Sequence, residues 1–131
     1  MNNILYYPKE YLTTPPHILN NIINGCGPGG WLIDIVPDHI FFCNITEACY
    51  IHDFMYKVGT TIEDKKRADR VFLNNMTRLI LDKNYYWYDN WLKKKRLALA
   101  RFYYVMVKNH GGPAFWRGKD DPKDKEEEEK K

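Results

Sequence analysis

The chain has 131 residues, 44% of them hydrophobic and 15% aromatic, with a formal charge of +3; this suits one domain with its own apolar core. No apolar run approaches the roughly 18 residues of a membrane span. Three cysteines are too few for a disulfide framework of the small secreted kind, and without a close Cys-x-x-Cys pair they argue against structural zinc. Of 20 basic and 17 acidic residues, five and seven fall from Lys119 onward, which leaves a net −2 there and +5 in the preceding chain. A basic body suits anionic membranes, nucleic acid or an acidic partner.

Residues 1–12 read as an irregular arm. Met1 to Pro8 show neither the basic stretch nor the apolar core of a secretory leader, so synthesis in the cytoplasm, with any export by another route, is the expectation. Thr14 is placed to cap a helix with Pro15 at its first position; Ile18, Leu19, Ile22 and Ile23 share one face, and Asn24-Gly25 stops it. Gly25 to Gly30 hold four glycines and one proline in six residues, a tight loop. Residues 31–43 are apolar without a clear period and turn at Pro37-Asp38. Asn44, with Glu47 three positions on, resembles a capping box and predicts a helix to about Val58, ended by Gly59. A third helix starts near Thr61, where Glu63 and Asp64 favour the helix dipole. Its apolar stripe is Ala68, Phe72, Leu79 and Ile80, widened by Val71 and Met76, and it ends near Asp82-Lys83-Asn84. An aromatic helix is predicted over about 88–108, and the charged residues 119–131 are expected to be a disordered tail. The fold class is therefore mainly α, with one domain over 1–118.

Two segments carry candidate chemistry. Glycines free the backbone to aim several carbonyl oxygens at one point, so Gly25-Cys26-Gly27-Pro28-Gly29-Gly30 suits a cation that takes oxygen ligands, such as calcium, or serves as a plain turn. It lacks the ending of a phosphate-binding P-loop and the spacing of a dinucleotide fingerprint. His52 and Asp53 are neighbours on the second helix and point about 100° apart, so one can face a substrate and the other an ion. Tyr56 lies one turn beyond His52 on the same face. The short turn at Gly59-Thr60-Thr61 makes the second and third helices an antiparallel pair. His52 and Asp69 lie equally far from the centre of that turn, hence at one height on facing helices, whereas Asp64 lies opposite Lys57. Asp69 can orient the imidazole of His52; an ion pair with Lys65 or Arg70 is the plainer role for it.

Three segments together resemble the phospholipase A2 family. Cys26-Gly27-Pro28-Gly29-Gly30 is similar to its Cys-Gly-x-Gly-Gly calcium loop. Ala48-Cys49-Tyr50-Ile51-His52-Asp53-Phe54-Met55-Tyr56 is similar to its Cys-Cys-x-x-His-Asp-x-x-Tyr helix, and Ala68-Asp69-Arg70-Val71-Phe72 resembles the Ala-Asp-x-x-Phe segment of its smaller members. The resemblance covers roughly residues 15–80. It implies a calcium-dependent hydrolase that cleaves the sn-2 ester of glycerophospholipids. Carbonyls of Gly25, Gly27 and Gly29 with the Asp53 carboxylate would hold calcium. His52 would deprotonate water, Asp69 would hold the imidazole, Tyr56 would bond to Asp69, and the Gly27 N–H would help to stabilise the oxyanion. It also implies a disulfide between Cys26 and Cys49. The chain departs from the pattern at Thr46, Ala48 and Val71, has a longer stretch between loop and His52, and lacks a β-hairpin between the two helices.

Tyr85, Tyr86, Trp87, Tyr88 and Trp91 run into Lys93-Lys94-Lys95-Arg96. Trp and Tyr suit the headgroup region and basic clusters are drawn to anionic lipid, so a phospholipid membrane surface is the expected partner and nucleic acid the weaker candidate. His17, His39 and His110 read as structural or exposed, and no histidine cluster suggests a transition metal. The competing reading is a calcium- or lipid-binding module, or a basic protein- or nucleic-acid-binding domain, without catalysis. Oligomeric state is not legible in the sequence.

Overall fold

The computed structural model describes residues 4–22, 37, 39–117 and 119. The glycine loop with Gly25, Cys26, Gly27 and Gly29, the helix stop at Asn24-Gly25, Asp38 and the tail beyond Lys119 lie outside the described residues. In chain order the elements are α1 (Lys9–Thr13), α2 (Pro16–Ile22), β1 (His39–Ile40), β2 (Cys43–Asn44), α3 (Thr46–Val58), α4 (Ile62–Leu81), a 3₁₀ turn (Trp87–Asp89), α5 (Asn90–His110) and α6 (Gly112–Phe115). The protein is mainly helical, and no described helix is long and apolar enough to cross a membrane.

α4 packs against both α3 and α5. Its start is local chemistry: Thr61 Oγ1 accepts from the Asp64 N–H at 3.0 Å, and Asp64 Oδ2 accepts from the Thr61 N–H at 3.1 Å, the reciprocal bonds of a capping box. Asp64 is therefore spent on the cap. Only Gly59, Thr60 and Thr61 separate α3 from α4. Gly59 is required there by close approach: a Cβ would stand 2.8 Å from Phe115 and 2.9 Å from the Met55 carbonyl.

α3 is buried almost without interruption from Ala48 to Tyr56. One side meets a core of Ile40, Cys43, Ile45, Phe72, Met76 and Ile80 with residues of α5; the other meets Leu5, Tyr11, Ala68 and Phe115. A helix covered on both sides carries polar groups only where they find partners, which sets the requirement that His52, Asp53 and Asp69 must meet.

Several local expectations give way to distant partners. The arm is not wholly irregular, since it contains α1. The Thr14 hydroxyl turns back to the Glu10 carbonyl instead of capping the next helix, which starts at Pro16. Asn44 pairs with His39 in the hairpin, so α3 starts later, although the Asn44 side chain still accepts from the Thr46 N–H at 2.8 Å. Glu47 does not close a capping box: it accepts from the Tyr7 hydroxyl at 2.8 Å. Residues 39–44 form a two-residue hairpin whose turn, Phe41-Phe42, has φ of 45° and 66°. Such turns need left-handed backbone at both positions and favour Asn and Gly, so the two phenylalanines carry strain of order 1–3 kcal/mol each. Arg96 offsets it by donating to the Phe41 carbonyl. The aromatic helix runs on to His110, and α6 follows it, bringing Phe115 edge-on to Tyr56.

Candidate active site

His52 lies in the middle of α3 and is 1% exposed. Its Nε2 stands 2.9 Å from Asp69 Oδ1 across the α3–α4 pair. The ring stacks on Phe72, centroids 4.6 Å apart, and lies 4.1 Å from the Tyr56 ring. Facing a carboxylate, Nε2 carries a proton and donates it; in the neutral form of the ring that leaves the lone pair on Nδ1. The stacking rings hold the imidazole plane, so tautomer and direction are both set.

Asp69 is buried and receives three donors. His52 Nε2 and the Tyr56 hydroxyl, at 2.6 Å, share Oδ1; Lys65 Nζ, at 2.8 Å, takes Oδ2. Burial alone would raise the Asp69 carboxyl, but the bond from His52, its charge, and the bonds from Lys65 and Tyr56 outweigh that and hold it below the ordinary carboxylate range. Burial, followed by the charge of Asp69 and the bond to it, pushes the Tyr56 hydroxyl far up, so Tyr56 stays protonated and donates. The sequence offered either an imidazole or a lysine as the partner of Asp69; the structure gives it both, with Lys65 one turn earlier on α4. Arg70 does not pair with it among the described residues.

Two further contacts of this site are absent from the sequence reading. Lys65 also donates to the Val107 and Lys108 carbonyls at 3.2 and 3.3 Å, tying the end of α5 to Asp69. Gly111 lies against Tyr56: a Cβ there would stand 2.5 Å from the Tyr56 hydroxyl. Nothing in the local sequence around Gly111 signals that contact, because its partner lies 55 residues away in the chain.

Asp53, next to His52, is 6% exposed. It lines a cleft of about 160 Å³ with Asn21, Tyr56, Lys57, Phe115 and Arg117. Among the described residues, no group of three or more His, Cys, Asp or Glu side chains could hold a metal ion. Cys49 is disulfide-bonded, and Cys43 is a buried free thiol.

The aromatic and basic segment divides. Trp87 is 86% exposed, Trp91 and Tyr86 are exposed, and Lys95 lies over the Trp91 ring. Arg96 does not belong with the lysines: it is 7% exposed and donates to Tyr85 Oη at 3.0 Å and to the Phe41 carbonyl. A guanidinium with a long apolar stem can cross a core edge and still meet oxygen acceptors, which a sequence run of cations conceals. Through Arg96 the hairpin tip, with Phe42 92% exposed, joins the Tyr85 region.

No protein-family model, curated protein or solved structure matches this chain.

Proposed function

We propose that the chain is a phospholipase A2-like hydrolase of the sn-2 ester of glycerophospholipids, dependent on calcium. The observation that supports it is the buried set His52–Asp69–Tyr56, with Nε2 of the imidazole turned to the carboxylate. That arrangement makes Nδ1 a base. It takes one proton from a water, and the water oxygen forms a bond to the ester carbonyl carbon as the carbonyl electron pair moves to oxygen. The pair returns, the bond to the glycerol oxygen breaks, and the proton passes from Nδ1 to that leaving oxygen. The products are a fatty acid and a lysophospholipid, and no covalent enzyme intermediate is formed. Asp69 holds the tautomer and steadies the imidazolium; Tyr56 and Lys65 hold Asp69.

Asp53 fits calcium as far as the described residues go: it is a hard oxygen donor, withdrawn from solvent, beside the base. Carbonyls of Gly25, Gly27 and Gly29 would complete the shell. Bound calcium, with the Gly27 N–H, would supply positive charge to the developing oxyanion. With one anionic ligand and the cations Lys57 and Arg117 lining the same cleft, affinity is expected to be weak, on the order of 10⁻⁴–10⁻³ M. The substrate surface would be met by Trp87, Trp91 and Lys93–Lys95, together with Phe42 at the hairpin tip.

The deciding experiment is release of fatty acid from mixed-lipid vesicles at millimolar calcium and in excess chelator, with the parent and Asp53→Asn. Release that needs calcium and is lost in Asp53→Asn while the helical content stays unchanged supports the proposal. Full release in chelator refutes the calcium role, and no release by the parent refutes the hydrolase.

A further inference from the structure

A second cleft among the described residues is lined by Asp69 but not by His52. It has a volume of about 580 Å³ and lies between α4 and the end of α5, on the far side of Asp69. Its cations are Lys65, Lys66 and Arg70 from α4 and Lys108 from α5, and its aromatic walls include Tyr104 and Trp116. Among the described residues, Asp69 is the one acidic side chain lining it, and that carboxylate is committed to His52, Tyr56 and Lys65. No carboxylate among the described residues pairs with Lys66, Arg70 or Lys108.

A solvated basic face would be convex and would alternate its charges with acidic ones. Here cations from two helices converge on one concavity, and Lys66 and Arg70, four apart on α4, repel each other at a cost that the empty protein carries. An anion offsets that cost. The neutral polar groups point the same way: the hydroxyl of Tyr104, the amide of Asn109 and the indole N–H of Trp116 can all donate. The volume falls within the roughly 300–1,000 Å³ of small-molecule sites, so a single inorganic phosphate would leave most of it unfilled. Three cations without carboxylate partners match a ligand with more than one phosphate.

We propose that this cleft binds a multiply phosphorylated small molecule, free or as the headgroup of a lipid, through Lys66, Arg70 and Lys108. Lys65 makes the site contiguous with the catalytic set, since the ammonium that faces the cleft also holds Asp69 Oδ2 at 2.8 Å. Occupancy of the cleft and orientation of His52 then depend on one shared cation. That link rests on the hydrolase reading; the binding itself does not.

The test is titration calorimetry of the full chain with inositol 1,4,5-trisphosphate, and in a second arm co-sedimentation with neutral vesicles carrying phosphatidylinositol 4,5-bisphosphate. Arg70→Gln and Lys108→Gln are compared with Lys9→Gln, which removes the same charge at an exposed position on α1, outside both the cleft and the lysine run 93–95; circular dichroism checks that all three keep the parent fold. Each cleft variant is expected to bind about tenfold more weakly and the control within about twofold of the parent. Binding in the soluble arm identifies a free ligand, and binding only to vesicles identifies a headgroup; both support the site. Equal weakening by Lys9→Gln shows undirected attraction and overturns it, as does the absence of binding in both arms. Because the readout is binding rather than turnover, this failure is separate from failure of the hydrolase reading.

Discussion

Asp69→Asn tests the centre of the site. The amide has nearly the shape of the carboxylate, so only hydrogen-bond character and charge change. The carboxylate accepts from His52 and Tyr56 on one oxygen and from Lys65 on the other. An amide can accept on one side alone. With its NH₂ toward Lys65, a donor meets an ammonium. With its NH₂ toward His52, Nε2 must accept, and the proton moves to Nδ1, where the base is needed. Leaving a largely buried cation or donor unmatched costs about 3 kcal/mol, which a domain of typical stability survives. The wrong tautomer should lower kcat by a factor on the order of 10³–10⁴. Fatty-acid release at saturating calcium and urea unfolding, run on the same preparation, read the two effects separately. A variant that keeps kcat within about tenfold of the parent would show that Asp69 does not orient the base, and the assignment of roles would fall.

The same pair of proteins tests the ionisation of Asp69. A carboxyl held below its unfolded value stabilises the fold above that value and loses the contribution as pH falls toward the lower folded one. The urea midpoints of parent and Asp69→Asn should therefore differ by a constant amount down to the ordinary carboxylate value of 3.8 and converge only below it; convergence already between neutrality and about pH 5 contradicts a lowered carboxyl. Gly111→Ala should drive the Tyr56 hydroxyl off Asp69, and a double-mutant cycle with Tyr56→Phe should show a coupling of about 1 kcal/mol or more, because removing the hydroxyl relieves one of the two close contacts, the other being the Val107 carbonyl at 2.5 Å; additive effects would exclude the contact. Neutralising Lys93, Lys94 and Lys95 together should weaken binding to anionic vesicles at low salt by up to roughly 1 kcal/mol per charge, while Phe42→Ala and Trp87→Ala should cause losses that do not change with salt. Unchanged vesicle binding by the triple variant would exclude that surface.

The α3–α4 pair was legible because its determinants are local. Thr61 and Asp64 cap each other within one turn, Gly59 ends α3, and a connection this short leaves one register, in which His52 meets Asp69. Helical period placed Ala68, Phe72, Met76 and Ile80 inside. The glycine loop lies outside the described residues, so its part in the site rests on the resemblance. What only tertiary structure decided involves partners far apart in the chain. Asn75 is buried because the arm returns to it: its side chain accepts from the Tyr6 N–H at 2.9 Å and donates to the Tyr6 carbonyl at 3.1 Å. Glu47 leaves its cap for Tyr7, Arg96 leaves the lysine run for the Phe41 carbonyl, and Gly111 is small because Tyr56 stands against it. Capping and periodicity act over one or two turns and can be read from neighbours. A polar group in a covered helix bonds to whatever the fold brings within about 3 Å, and that partner is set by packing between elements rather than by the residues beside it.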